Sequence, residues 1–301
     1  MSTVDVMLPY YGPAELMRAA VRSVLAQQDP DWRLTVVDDN DPEPGIPEWF
    51  ASLGDKRIQY LRNERNLGVN RNFQRCVDLA EHDVIVVLGC DDLMLPNYLS
   101  SVRAAFAEFP GATIVQPGVR VIDEHGVPAR GLADSAKQVL YAPRVSVRTE
   151  LAGEELAASL LRGNWLYFPS LAWRSSAVRA VGFRKGLHVV QDLALALDLV
   201  ARGARLVVDP KVCFSYRRHR ASVSSWRALN GSRFAEERSF FLGEAARMSS
   251  LGWHRAARIA RRHTASRLNA LTLLPAAIRQ RHRRGTMALA RHAFGPAVPR
   301  E

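Results

Sequence analysis

Thirteen residues, VIVVLGCDDLMLP at 84–96, constrain the fold more than any other stretch. Val84, Ile85, Val86, Val87 and Leu88 form a continuous apolar run, the pattern of a central strand buried on both faces. Gly89 and Cys90 end it, and two adjacent carboxylates, Asp91 and Asp92, follow at once. Paired acids at the carboxyl end of a core strand repel one another unless positive charge sits there. In an open α/β sheet that edge is where ligands bind. A divalent cation carrying a diphosphate meets the need, because hard Mg²⁺ or Mn²⁺ takes carboxylate and phosphate oxygens together. The structural alternative is that Asp91 or Asp92 caps a helix starting near Pro96.

The segments before this stretch repeat one pattern. Val4, Val6 and Leu8 alternate as a first strand, closed by Pro9-Tyr10-Tyr11-Gly12-Pro13. Met17, Ala20, Val21, Val24 and Leu25 recur at helical spacing over 14–27. A second strand, 34–37, runs into Asp38-Asp39-Asn40, and 41–46, with two prolines and a glycine, is loop. A short strand at 58–61 and a polar turn at 62–69 lead to a helix with Phe73, Cys76, Val77 and Ala80 on one face. Such alternation predicts a mainly parallel sheet with helices on both faces, and it puts Tyr11, Asp38/Asp39 and Asp91/Asp92 in loops at one edge. The first loop lacks G-x-G-x-x-G, so no dinucleotide cofactor site is supported. Read singly, Tyr11 is also a candidate core aromatic, Arg71 a solvated helix residue, and Asp38-Asp39 an Asx-turn.

Five segments in order, VDVMLPYYG, an amphipathic helix, RLTVVDDND, NLGVNRNF and VVLGCDD, resemble the motifs of family 2 glycosyltransferases with the GT-A fold. The match is close over about the first hundred residues and looser to about Ser225. The resemblance implies an α/β fold: a nucleotide-binding, Rossmann-like mixed sheet flanked by helices, with a C-terminal helical extension. It implies a catalytic domain at 1–225, whose nucleotide-sugar half is 1–110 and acceptor half 111–225, and a basic extension at 226–301. Pro9 and Tyr11 fall where the family holds the base. Asp39, with Asp38 beside it, matches the acid on the base or ribose, and Arg71 a basic residue near the nucleotide. Asp91 and Asp92 match the D-x-D region, with Asp92 on the metal, Mn²⁺ or Mg²⁺, and Asp91 on the ribose side or sharing the ion. Gly89 stands where the commonest pattern has an acid.

The second half carries fewer signals. After a helix through Tyr98, Val102, Ala105 and Phe106, residues 113–122 read as a strand interrupted by Pro117-Gly118. Residues 123–148 are polar and aperiodic, a candidate flap over the donor. A short helix is expected at 153–162, an aromatic strand-like run at 165–173, and another helix at 175–181. Segment 186–195 opens a helix running to Ala201, with Asp192 in its first turn, where the dipole favours an acid. By resemblance Asp192 is the general base, although Gln191 replaces the acid that usually precedes it; Asp198 is a weaker candidate. Two short strands at 206–208 and 212–216 precede Tyr216-Arg217-Arg218-His219, which resembles the family's Y-R-x-H ending. There Arg217 and Arg218 would neutralise the leaving phosphate. His219 is either a third metal ligand or a surface histidine in a basic loop.

Charge divides the chain. Residues 245–301 hold twelve arginines, no lysine and one acid, Glu301, so they carry all of the +11 net charge and residues 1–244 are formally neutral. Arginines alternating with Ala256, Ile259, Ala260, Leu268, Leu271 and Leu274 suggest a helix lying on an anionic membrane surface; the alternative is a helix docked on the catalytic domain with its arginines solvated. No recognised nucleic-acid-binding motif accompanies the patch, so nucleic acid is not expected as a partner. Three cysteines match no zinc pattern and predict reduced thiols. With neither a signal peptide nor a membrane-spanning run in view, the expected location is cytoplasmic, peripheral on the inner face of the membrane.

The resemblance implies an inverting, metal-dependent transferase moving a sugar from a UDP- or dTDP-linked donor to a hydroxyl of a glycan or lipid-linked acceptor. The alternatives are a nucleotidyltransferase of similar fold logic, which usually needs a Gly-rich, Lys/Arg-bearing first loop, and a degenerate, non-catalytic membrane-associated homologue.

Overall fold

The computed structural model of the chain describes residues 3–129, 140–218, 232–279 and 283–295. Its centre is a nine-stranded mixed sheet. Strands β1 (Val4–Tyr10), β2 (Trp32–Asp38), β3 (Ile58–Arg62) and β4 (Val84–Val87) are parallel, in the order β3-β2-β1-β4. Beyond β4 the sheet turns mixed. β8 (Ala172–Arg174) pairs antiparallel with both β4 and β6 (Ile114–Ile122), and β9 (Arg205–Arg217) pairs parallel with β6. β5 (Leu93–Met94) and β7 (Thr149–Ala152) lie antiparallel along the far side of β9. The expectation of a mainly parallel sheet therefore holds only for the first half of the chain. Because β8 reverses direction twice, the carboxyl ends of β1, β2, β4, β6 and β9 all reach the same edge.

The strand periodicity has a direct packing consequence. Val6, Leu8, Val36, Val86 and Leu88 point to one face and meet α1 (Ala14–Leu25) and α4 (Tyr98–Glu108) through Met17, Val21, Val24, Val102 and Phe106. Met7, Val37, Ile85 and Val87 point to the other. There they meet α3 (Val69–Leu79), α5 (Gly153–Arg162), α6 (Ser175–Val181) and α7 (Gln191–Ala201). Burial on both sides explains why β4 reads as an unbroken apolar run.

Several elements differ from the sequence expectation. The 41–46 loop feeds an unexpected helix, α2 (Ile46–Leu53), which starts at Gly45 in the left-handed region and seats Ile46 and Phe50 in the core. Residues 165–173 are not one strand: a 3₁₀ turn, Phe168–Ser170, precedes the three residues of β8. The two strands expected at 206–208 and 212–216 are one, β9, which passes Pro210 at a register shift opposite Gly118. A Cβ on Gly118 would lie 2.8 Å from the Lys211 and Pro210 backbone, so only glycine lets the strands approach there. Of residues 123–148, the structure describes 123–129 and 140–148; the rest of the expected flap lies outside the described residues.

The basic extension is helical, as expected, and its first part belongs to the main core. Phe240, Phe241, Ala245 and Met248 of α8 (Ser232–Ser250) join the same apolar cluster as α5 and α7. In α9 (His254–Arg262) the small face, Ala256, Ala257 and Ala260, is buried in that cluster. The Arg255 and Ala256 amides donate to the Glu154 carboxylate at the start of α5. The apolar face of α9 is thus turned inward, and for this helix the docked alternative replaces the membrane-lying one. Arg255, Arg258, Arg261 and Arg262 point to solvent. α10 (Thr264–Arg279) and α11 (Arg283–Phe294) pack with Phe234 in a smaller cluster around Ala270, Ala277 and Leu289. Among the described residues, no helix is long and apolar enough to cross a membrane.

Candidate active site

Asp92 lies at the carboxyl edge, in the loop between β4 and β5, and is only 1% exposed. It caps no helix. β5 intervenes before α4, and α4 has no side-chain cap. Instead Asp92 Oδ1 accepts the Arg217 backbone amide at 2.7 Å, at the last residue of β9. Burial, and then the Asp91 charge, push its carboxyl well above the usual carboxylate range; the opposing pull of Arg217 is outweighed. A carboxylate so placed, next to a second acid, matches a site for a hard cation. Among the described residues no three His, Cys, Asp or Glu side chains gather to hold a metal alone. The pair fits an ion whose remaining ligands come from a bound diphosphate.

Gly89 has a steric explanation. An added Cβ would stand 2.4 Å from Asp92 Oδ2 and 3.3 Å from Asp91 Oδ1, so the two carboxylates close over the space a side chain would fill.

Arg217 braces this loop rather than presenting a free fork. It is 7% exposed; its Nε donates to the Asp91 carbonyl and its Nη1 to the Asp123 and Glu124 carbonyls. The Arg218 side chain is exposed, with its guanidinium 5.5 Å from the Tyr216 ring centroid. His219 lies outside the described residues.

The first two loops meet beside this acid pair. Pro9 is buried in β1, whereas the Tyr11 ring stands 55% exposed at its end, with the Tyr11 carbonyl against the Cys90 thiol. Asp38 is fully buried: Oδ2 accepts the Tyr60 hydroxyl and Oδ1 the Asp41 amide. Asp41, unremarked in the sequence, passes the constraint on, its Oδ2 accepting the Gly12 amide. Asp39 Oδ1 accepts from Asn63 Nδ2 and the Leu67 amide, and its Oδ2 from the Gly68 amide. Both acids fix the loops around a ligand space, and Asp38 does so as a local turn residue. Asn72 completes this frame by donating to the Val37 carbonyl, while Arg71 next to it is exposed and makes no ion pair among the described residues. Cys76, Cys90 and Cys213 are free thiols.

Asp192 lies in the first turn of α7, the helix that precedes β9. Asn164 Nδ2 donates to Asp192 Oδ2 at 3.0 Å, and Oδ1 makes no hydrogen bond among the described residues. Three residues beyond Asn164, the Tyr167 ring packs on Tyr216 at 5.0 Å, next to Arg217. Asp198 has a different part: it pairs with Arg184 and Arg247, which also hold the buried Glu244. That network removes it as a candidate base.

A mixed α/β sheet flanked by helices, with Asp91, Asp92 and other polar loop residues at its carboxyl edge, is an architecture of the GT-A type. The sequence model of glycosyl transferase family 2 matches residues 5–167, and the chain belongs to that family. An uncharacterized protein of Mycobacterium tuberculosis is 27% identical over 239 residues, covering 75% of this chain and 70% of its own length. The succinoglycan biosynthesis protein ExoO of Rhizobium meliloti is 24% identical over 222 residues, covering 73% of this chain and 62% of its own. Among solved structures, TarS 1-349 of S. aureus in complex with UDP-GlcNAc superposes with a TM-score of 0.63 at 15% identity, covering 79% of this chain and 65% of that one. At that identity the likeness is one of fold.

Two outcomes test this geometry. Gly89→Ala will displace the buried Asp92 carboxylate from the Arg217 amide and lower the melting midpoint in calorimetry; an unchanged midpoint contradicts the close approach. Asp92 titrates above its unfolded value of 3.8, so without metal its contribution to stability is present at low pH and is lost as pH rises through the raised value. In EDTA at neutral pH, Asp92→Asn will therefore melt at a higher temperature than the parent, and a lower midpoint refutes the assignment.

Proposed function

We propose that this family 2 glycosyltransferase moves a sugar from a UDP- or dTDP-linked donor to a hydroxyl of a glycan or lipid-linked acceptor, with inversion at the anomeric carbon. One chain of contacts supports this reading: exposed Tyr11 and buried Asp92 lie in the loops after β1 and β4, and Asn164, bonded to Asp192, leads to Tyr167, which packs on Tyr216 beside Arg217, whose amide donates to Asp92. In the proposed roles, the Tyr11 ring stacks on the base above Pro9, and Asp38 and Asp39 hold the loops that shape the base and ribose space. Arg71 and Arg218 face the phosphates. Asp91 and Asp92 would hold Mn²⁺ or Mg²⁺, which when bound supplies charge neutralisation for the departing diphosphate. Asp192 takes the proton of the acceptor hydroxyl as that oxygen forms its bond to the anomeric carbon and the bond to the diphosphate breaks. Asn164 holds one carboxylate oxygen and leaves the other for the proton.

The wider setting rests on relatives. ExoO carries a succinoglycan biosynthesis name and TarS a UDP-GlcNAc complex, which supports a nucleotide-sugar donor and a polysaccharide or glycolipid product here. The nucleotidyltransferase alternative lacks a basic, Gly-rich first loop, and family membership speaks against it. A degenerate homologue drew its support from Gly89 and Gln191; the first has a steric reason to be glycine.

The extension favours a peripheral place on the inner face of an anionic membrane. Arg279, Arg283, Arg284 and Arg291 are exposed beside Ile278, Met287 and Phe294, exposed at 58%, 73% and 71%. Vesicles containing anionic lipid should sediment the protein, and zwitterionic vesicles should not. Equal binding to both removes the electrostatic reading.

Asp192→Asn tests the mechanism. It will keep UDP affinity within about twofold and lower turnover of a responsive sugar nucleotide by about 10²-fold or more, the scale of a lost general base. Unchanged turnover in a folded, donor-binding variant removes Asp192 from that role.

A further inference from the structure

The segment leading into α7 has no fixture of its own. Its N-cap is Val190, which offers no side-chain acceptor, and Gly186 turns the chain into it with a φ of +81°. The acceptor its amides need comes from the C-terminal helices. Glu236, half-buried on α8, presents Oε1 to three successive backbone amides, His188 at 2.9 Å, Val189 at 2.7 Å and Val190 at 3.2 Å. Three donors converging on one carboxylate oxygen form an anion nest whose anion is part of the chain. The near end of the segment is tied to the nucleotide half, where Asn70 Nδ2 donates to the Leu187 carbonyl at 2.7 Å. Asp192 stands two residues beyond the last of these amides.

We propose that Glu236 is a positioning residue for Asp192, so that the C-terminal extension completes the catalytic site. This rests on Asp192 being the base. A carboxylate that must meet an acceptor proton is sensitive to its backbone; a displacement of about 1 Å in an active site is enough to lower a rate about 10²-fold. Glu236 touches neither donor nor acceptor in this scheme. Its removal acts on the rate of the chemical step and leaves donor affinity alone.

The experiment compares Glu236→Ala, Glu236→Asp and Glu236→Gln in the full chain. Ala removes the acceptor, Asp withdraws it by one methylene while keeping the charge, and Gln keeps an oxygen in place. Two readouts are used: amide hydrogen exchange over 186–193, and kcat and KM with the sugar nucleotide that turns over in a panel of UDP- and dTDP-hexoses with Mn²⁺. Exchange over 186–193 will quicken in Ala and Asp and stay near the parent in Gln. kcat will fall about tenfold or more in Ala, less in Asp, with donor KM within about twofold and with Gln restoring most of the rate. Unchanged exchange in both Ala and Asp overturns the proposal without reference to activity, and Asp serves where Ala does not fold. If Asp192→Asn is inactive while Glu236→Ala and Glu236→Asp keep the parent kcat, the base stands and the positioning role falls. If Asp192→Asn is active, the base reading itself has failed.

Discussion

One hydrogen bond joins the two halves of this protein at the point where chemistry is expected. The Arg217 amide, at the end of β9, donates to the buried Asp92 carboxylate that follows β4. The same arginine reaches back to the carbonyls of Asp91, Asp123 and Glu124. The bond is buried, and the same desolvation makes a charge on its acceptor costly without a cation. The loop is therefore held in shape and left electrostatically incomplete. That combination suits a site meant to receive a cation with its anionic ligand.

Two carboxylates inside the fold do comparable work. Asp39 ties the end of β2 to the turn before α3, and Glu236 ties α8 to the turn before α7. Each replaces a missing local cap with a long-range acceptor, so each turn is rigid only in the folded chain. The result is a cleft whose walls come from segments distant in sequence, fastened by backbone amides that any side chain could accompany.

This explains what could and could not be read from the residues. β2 and β4 were legible because burial on both faces writes a short apolar run, β1 because its apolar residues alternate, and the loops after them interrupt the pattern with charge. α2 was missed because a Pro-Glu-Pro-Gly approach masks a helix that begins only at Ile46. β9 read as two strands because Pro210 marks a bulge whose partner, Gly118, lies far away in sequence. The reason for Gly89 is a collision between side chains in space, which no local pattern encodes. Arg217 was picked out as basic, but its commitment to three carbonyls depends on where the 123–124 turn folds. Asn164 and Glu236 carry no motif, and their only sequence signal was the lack of a capping residue before Gln191. In the extension, the alternation of arginine with Ala256, Ile259 and Ala260 showed the two faces of α9, but whether the apolar face meets a membrane or α5 depends on the fold around it.

The central claim is spatial: a nucleotide diphosphate with its cation lies between the Asp92 loop and the start of α7. Paramagnetic broadening of backbone amide signals by Mn²⁺ in the presence of UDP measures this directly. Signals from residues 11–12, 91–92 and 191–193 should broaden together and recover in Asp92→Ala. If 191–193 stay sharp while 91–92 broaden, Asp192 does not share the cleft, and the transferase mechanism drawn through it is wrong.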